Sequence, residues 1–154
     1  MRAVIQRVDW AQVVVAPDYI KRIDKGLLVL LCAMAGDDDR AMDWMAKKIA
    51  QLRIFTDGDG KMNRSVLDID GEILVISQFT LAADIQKGNR PSFTNAAPPA
   101  VAEPFLDRFV EKLITEYRVR RVETGIFGAH MDVSLPNDGP GTIYIDSERG
   151  ERAC

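Results

Sequence analysis

The chain reads as an α/β fold: a strongly curved or barrel-like mixed β-sheet with two long helices. Three observations carry this. Residues 2–8 alternate in character, as a half-buried strand does. Residues 27–34 and 73–76 are continuously apolar and suit strands buried on both faces. Two further stretches repeat apolar residues at helical spacing.

In the first strand Val4, Gln6 and Val8 share one face, and Ala3, Ile5 and Arg7 the other. A guanidinium among apolar neighbours needs a partner, because an unpaired buried charge is costly. Val13-Val14-Val15 makes a second β-rich segment, closed by Pro17-Asp18. Gly26 precedes the long apolar run. Gly36-Asp37-Asp38-Asp39 then offers an N-cap and a negative first turn. Met42, Met45, Ile49 and Leu52 lay one face of that helix on the core. Asp57-Gly58-Asp59-Gly60 has the look of a calcium loop, but Lys61 and Met62 stand where an oxygen ligand and the turn glycine belong. It reads as a tight turn. Pro98-Pro99, with Pro104 expected in the first turn, opens the second helix, whose stripe is Leu106, Phe109, Val110, Leu113 and Tyr117. Met131, Val133 and Leu135 alternate with Asp132 and Ser134 as a strand, and Ile143, Tyr144 and Ile145 give another. Residues 137–142 are expected to join these two as a turn.

At 154 residues and 17.2 kDa the expectation is one domain, residues 1–154. Apolar content of 47% is enough to build a core without disulfides or metal. Cys32 sits in the apolar run as a small core residue and Cys154 is terminal, so two reduced thiols are expected. No leader pattern opens the chain, and the longest apolar stretch is far shorter than the ~20 residues of a membrane span. A soluble cytoplasmic protein is expected. A net charge of −3 and a pI of 5.2 argue against a broad nucleic-acid surface. Local basic groups remain: Lys47, Lys48 and Arg53; Lys87 and Arg90; Arg118, Arg120 and Arg121.

Much chemistry is excluded by inventory. His130 is the single histidine, and neither HExxH nor CxxC occurs, so no metal site is expected. Nucleotide loops of the GxGxxG or GxxxxGK[ST] type are absent. A Ser-His-Asp hydrolase would need His130 as base and Ser77 or Thr80 as nucleophile. Without a base, Thr80 is a weak nucleophile at neutral pH, and a hydroxyl that only hydrogen-bonds is the better reading.

Two short strings remain. Ser77-Gln78-Phe79-Thr80-Leu81 follows a buried strand, where backbone N–H groups become free. Asn137-Asp138-Gly139-Pro140-Gly141-Thr142 contains a Gly-Pro bond, whose cis form lies only ~0.5–1 kcal/mol above trans. Together they resemble the SQFTL and NxGPxT motifs of D-aminoacyl-tRNA deacylases, which hydrolyse D-amino acids from mischarged tRNA. The resemblance also takes in residues 1–8, Arg90-Pro91-Ser92-Phe93 and Gly125-Ile126-Phe127-Gly128-Ala129, and runs on into Met131-Asp132-Val133-Ser134-Leu135. Gly141 departs from the pattern, standing where a branched apolar residue such as Val is expected, and should loosen the turn.

The resemblance implies an enzyme with no cofactor and no metal, acting on the aminoacylated 3′ end of tRNA. It makes Ser77, Gln78, Phe79 and Thr80 the catalytic wall, with the N–H groups of Phe79 and Thr80 as oxyanion donors. The substrate's own 2′-hydroxyl would assist water. Met131 would help bind substrate, and Phe127 would stack on the terminal adenine, although a core role for Phe127 stays open. Gly139 and Pro140 would enter the other subunit's site, making a homodimer, and Arg7 would support that element. A grip on the 3′ terminus alone reconciles an RNA substrate with an acidic chain, since few phosphates need neutralising. Two alternatives stay open: a related deacylase that removes a wrong L-amino acid, and a non-catalytic nucleic-acid-binding protein on the same fold. The cis or trans state of Gly139–Pro140 is also open.

Overall fold

The computed structural model describes residues 1–151; Cys154 lies outside them. The elements are β1 (Arg2–Val8), β2 (Ala11–Val15), β3 (Tyr19–Ile23), β4 (Gly26–Cys32), α1 (Asp39–Gln51), β5 (Phe55–Thr56), β6 (Met62–Arg64), β7 (Glu72–Ser77), α2 (Pro99–Thr115), β8 (Arg121–Thr124), β9 (Asp132–Ser134), β10 (Asn137–Asp146) and α3 (Ser147–Glu151). Five strands form the main sheet in the order β10-β1-β4-β7-β8. The pairs β10-β1 and β1-β4 are antiparallel, whereas β4-β7 and β7-β8 are parallel. The sheet is mixed, as expected, and open rather than a closed barrel.

The continuous apolar runs become central strands because both faces of the sheet are covered. Leu27, Val29, Leu31, Ile73 and Val75 meet Met42, Met45 and Ile49 of α1 and Phe105, Phe109 and Leu113 of α2. Leu28, Leu74 and Ile76 face the other way, onto Ala11, Val13 and Ile23 of the small sheet β3-β2-β9. Burying each such side chain contributes ~1.5–3 kcal/mol. Helices, main sheet and small sheet therefore make three layers.

Asp38 caps α1 as expected, its side chain accepting from the Ala41 N–H at 3.0 Å, which holds its carboxyl below the usual range. The Asp57 carboxylate accepts the N–H groups of Asp59 and Lys61, so the acidic string is the tight turn of the β5-β6 hairpin. Pro99, not Pro104, stands at the start of α2; Pro104 falls a turn later, inside the helix. Strands β3, β5, β6 and β8 and helix α3 are short or polar and carry no periodicity that announces them.

The largest revision concerns residues 137–142. They belong to one ten-residue edge strand rather than a turn between two strands. The register explains it: Gln6 faces Thr142 and Val8 faces Asn137, so residues 138–141 all stand opposite Arg7 and bulge from the edge. Gly139 and Pro140 are exposed and their bond is cis, as is Ala16–Pro17. Gly141 is buried, and a Cβ there would sit 2.5 Å from the Asp138 carbonyl oxygen and 3.1 Å from Arg7 Cβ. The missing side chain lets the bulge close onto Arg7 instead of loosening it.

Candidate active site

The three parallel strands β4, β7 and β8 all end at the same side of the sheet, and the loops beyond their carboxyl ends enclose a cavity of about 620 Å³. That is where open α/β sheets place ligands, and the size suits a small organic group. Its floor is Cys32 and Ala33 from the end of β4 and Ile76 and Ser77 from the end of β7. One wall is built by residues 93–99, tied to β4 through a Met34–Ala96 bridge and the Ala97 N–H to Ala33 carbonyl bond at 3.0 Å. The opposite wall is the loop 127–131.

After β7 the chain turns through Gln78, whose N–H still bonds the Leu31 carbonyl at 2.8 Å, into a 3-10 turn at Phe79–Ala82. The N–H groups of Leu81 and Ala83 are taken by the carbonyls of Gln78 and Thr80. Those of Phe79 and Thr80 make no hydrogen bond among the described residues, as the first donors of a helical turn do not. Phe79 is 59% exposed and meets Phe93 edge-on, ring centroids 5.1 Å apart. The Thr80 hydroxyl accepts from the Gln78 side-chain amide and lies outside the cavity lining.

Ser77, Gln78, Phe79, Phe127 and Met131 thus come together around one cavity. Phe127 lines it and also packs on the main core. Met131 is positioned by Gly125: a Cβ at residue 125 would lie 2.3 Å from the methionine sulfur. Cys32, read from sequence as core only, faces the cavity; burial pushes its thiol pKa up. Phe93, Thr94 and the residues after them form a wall that no periodicity marked, although Arg90-Pro91-Ser92-Phe93 belongs to the resemblance. Gly139, Pro140 and Arg7 do not line this cavity in their own chain.

Among the described residues no Asp or Glu lines the cavity. His130 stands at its rim with a 92% exposed side chain, 3.4 Å from Asp132, and makes no hydrogen bond to Ser77 or Thr80. A Ser-His-Asp relay is not assembled. What the site offers is a largely apolar hollow lined in part by Phe79, with the unbonded N–H groups of Phe79 and Thr80 in the turn that follows β7.

Residues 4–146 match the family model described as D-Tyr-tRNA(Tyr) deacylase. A D-aminoacyl-tRNA deacylase of Thermomicrobium roseum is 53% identical over 147 residues, covering 96% of this chain and 94% of its own. That of Ruegeria pomeroyi is 56% identical over 146 residues, covering 95% and 99%. Among solved structures, the c-Myc DNA Unwinding Element Binding Protein superposes with a TM-score of 0.89 at 43% identity, covering 95% and 98%. A probable eukaryotic D-amino acid tRNA deacylase, 20% identical with a TM-score of 0.78 and covering 94% and 98%, shares the fold.

Proposed function

Because this chain belongs to the D-Tyr-tRNA(Tyr) deacylase family, we propose that it is an aminoacyl-tRNA editing hydrolase, cleaving the ester between a D-amino acid, or glycine, and the 3′-ribose of tRNA. The observation that carries the mechanism is the pair of N–H groups, Phe79 and Thr80, that have no partner among the described residues, beside a cavity that none of those residues lines with a carboxylate. Such a site positions and stabilises; among the described residues its lining holds no carboxylate and its rim histidine bonds neither Ser77 nor Thr80.

In this reading the ester carbonyl faces the Phe79 and Thr80 N–H groups. Water adds to the carbonyl carbon, the oxyanion is held by those donors, and the C–O3′ bond breaks. The substrate's neighbouring 2′-hydroxyl relays the proton to the leaving oxygen. Preorganised donors of this kind contribute ~2.7–4 kcal/mol each. Phe127 stacks on the terminal adenine, worth ~1–3 kcal/mol. Ser77, Gln78 and Met131 shape the pocket.

Gly139 and Pro140 act in the partner's site of a homodimer, held by Arg7. Their exposure and their absence from their own chain's cavity support this. Their carbonyls take the substrate ammonium, leaving a D side chain pointing outward while an L side chain meets the backbone of the bulge. Glycine has nothing to collide. The reading places the protein in the cytoplasm, among charged tRNAs; no helix of the described residues is long and apolar enough to cross a membrane.

Parallel deacylation of D-Tyr-, L-Tyr- and Gly-tRNA tests the proposal. The D-tyrosyl and glycyl esters are expected to be cleaved and the L-tyrosyl ester spared. Equal rates on the two enantiomers would refute it, and preference for the L ester would favour the related branch. A second reading, binding of a DNA duplex without catalysis, draws on the name of the 43% identical structure. The net charge of −3 weighs against it; duplex retention without ester cleavage would favour it.

A further inference from the structure

Residues 85–102 contain no Asp or Glu, in a chain that carries 23 of them. Their only charges are Lys87 and Arg90. This stretch is the cavity wall and the arm beside it. The mutual N–H to carbonyl bonds of Asp84 and Ser92, 2.8 and 2.9 Å, close a hairpin, and Gly88 takes φ +75° within it. The chain then runs directly into Phe93 and Thr94 of the cavity. Lys87 and Arg90 are exposed and make no ion pair or side-chain hydrogen bond among the described residues. Most of the competing basic groups are otherwise engaged, and the two that are not, Lys47 and Arg118, lie outside the segments that line the cavity. Arg120 lies near Asp70 and Glu72, Arg121 pairs with Glu123, Lys48 sits over the Trp44 ring and Arg53 bonds Asn63.

We infer that the 84–92 hairpin, through Lys87 and Arg90, grips the phosphodiester backbone of the single-stranded RNA end whose terminal nucleoside occupies the cavity. The inference rests on the proposed function for the identity of the polymer. Its physical basis is local. A nucleoside ester seated in the cavity must lead its 5′ phosphates out past the mouth, and the free cations adjoining the mouth on the acid-free wall are these two. An isolated pair also fits an acidic protein: it neutralises about two phosphates and creates no general affinity for nucleic acid.

The test measures binding and turnover separately, on the full chain. A fluorescent, uncharged RNA stem-loop with a single-stranded 3′ end is titrated by anisotropy at 50 and 200 mM KCl. The proteins are the unmodified chain, the double variant Lys87→Ala/Arg90→Ala, the charge-keeping Lys87→Arg/Arg90→Lys, and Lys47→Ala as a control on an exposed face of α1. Each single-strand phosphate contact contributes ~0.7 to the salt slope, so losing two should flatten it by ~1.4. Across that salt range the unmodified chain should lose ~7-fold more affinity than the double alanine variant. The charge-keeping and control proteins should behave as unmodified. In turnover of D-Tyr-tRNA the double alanine variant should raise KM several-fold at the lower salt with kcat little changed. An unchanged slope, or a fall in kcat at unchanged KM, overturns the inference. Salt-dependent RNA binding that the double variant flattens, in a protein that cleaves no ester, would refute the proposed function and leave the grip standing.

Discussion

Arg7 holds Asp138 at two points: its Nε lies 2.9 Å from the Asp138 carboxylate and donates to the Asp138 main-chain carbonyl at 3.2 Å. The same guanidinium donates to the Ile54 carbonyl. One nearly buried side chain of β1 thereby anchors the base of the bulge that carries Gly139 and Pro140. A charge on the apolar face of a strand is explained by these acceptors.

Replacing Arg7 with Leu should release the bulge and strand its acceptors. Hydrogen bonds to charged groups contribute ~1.5–3 kcal/mol. For a chain of this size that corresponds to a Tm lower by ~3–12 °C. Arg7→Lys should recover part of the loss, since an ammonium cannot reproduce the fork. Activity assayed well below Tm should fall further than the unfolded fraction accounts for; activity that tracks folding alone would remove the bulge from function.

Two glycines separate the cost of the same methyl group. An alanine Cβ at residue 26 would lie 1.8 Å from the Glu72 carbonyl oxygen, a backbone atom in the paired strand β7. At residue 125 the obstacle is the sulfur of Met131, the far end of a flexible side chain. Gly26→Ala should destabilise by ~3 kcal/mol or more, and Gly125→Ala by ~1 kcal/mol. Urea unfolding of the two proteins measures the difference. Gly125→Ala should also raise KM, because the displaced Met131 lines the cavity.

The Thr80 hydroxyl engages Gln78 and no base. Thr80→Ala, which keeps the main-chain N–H, should retain at least about a tenth of kcat/KM. Replacing the substrate's terminal 2′-hydroxyl with hydrogen should cost ~10²–10⁴-fold, the usual range for a positioned proton-transfer group. Trapping an aminoacyl ester on Thr80 would reverse the assignment.

Cross-subunit sites predict complementation. Ala129→Trp fills the cavity mouth and Gly139→Leu alters the bulge, so each homodimer should be nearly inactive. In co-expressed mixtures, random pairing gives mixed dimers with one wholly intact site, and roughly a quarter of full specific activity should return. The protein should sediment at twice 17.2 kDa. No recovery on mixing, or a fully active monomer, places Gly139 and Pro140 outside the neighbour's site.

What the sequence determined by itself is what depends on local periodicity and short chemistry. The apolar runs could only be central strands, because every side chain in them needs cover, and the two helical stripes supply it on one face. The Asp38 cap and the Asp57 turn follow from side chains that reach backbone N–H groups a few residues away. The Ser77-to-Thr80 string after a buried strand placed free donors at a strand end, and there they are. Arg7 among Ala3 and Ile5 announced a partner, which the strand pattern left unnamed and only the resemblance placed at the Gly139-Pro140 element.

Only the tertiary structure decided the rest. That residues 137–142 are an edge strand follows from pairing with β1, Val8 to Asn137 and Gln6 to Thr142, far apart in the chain, and no local pattern encodes a four-residue bulge opposite one arginine. Strand β8 is short and largely polar, and pairing with the already buried β7 recruits it. The second cavity wall, with Phe93 and the hairpin before it, exists because residues 95–97 bond to the end of β4. The site lies where parallel strands stop, and which strands run parallel is fixed by packing between layers, a long-range outcome that short-range periodicity does not contain.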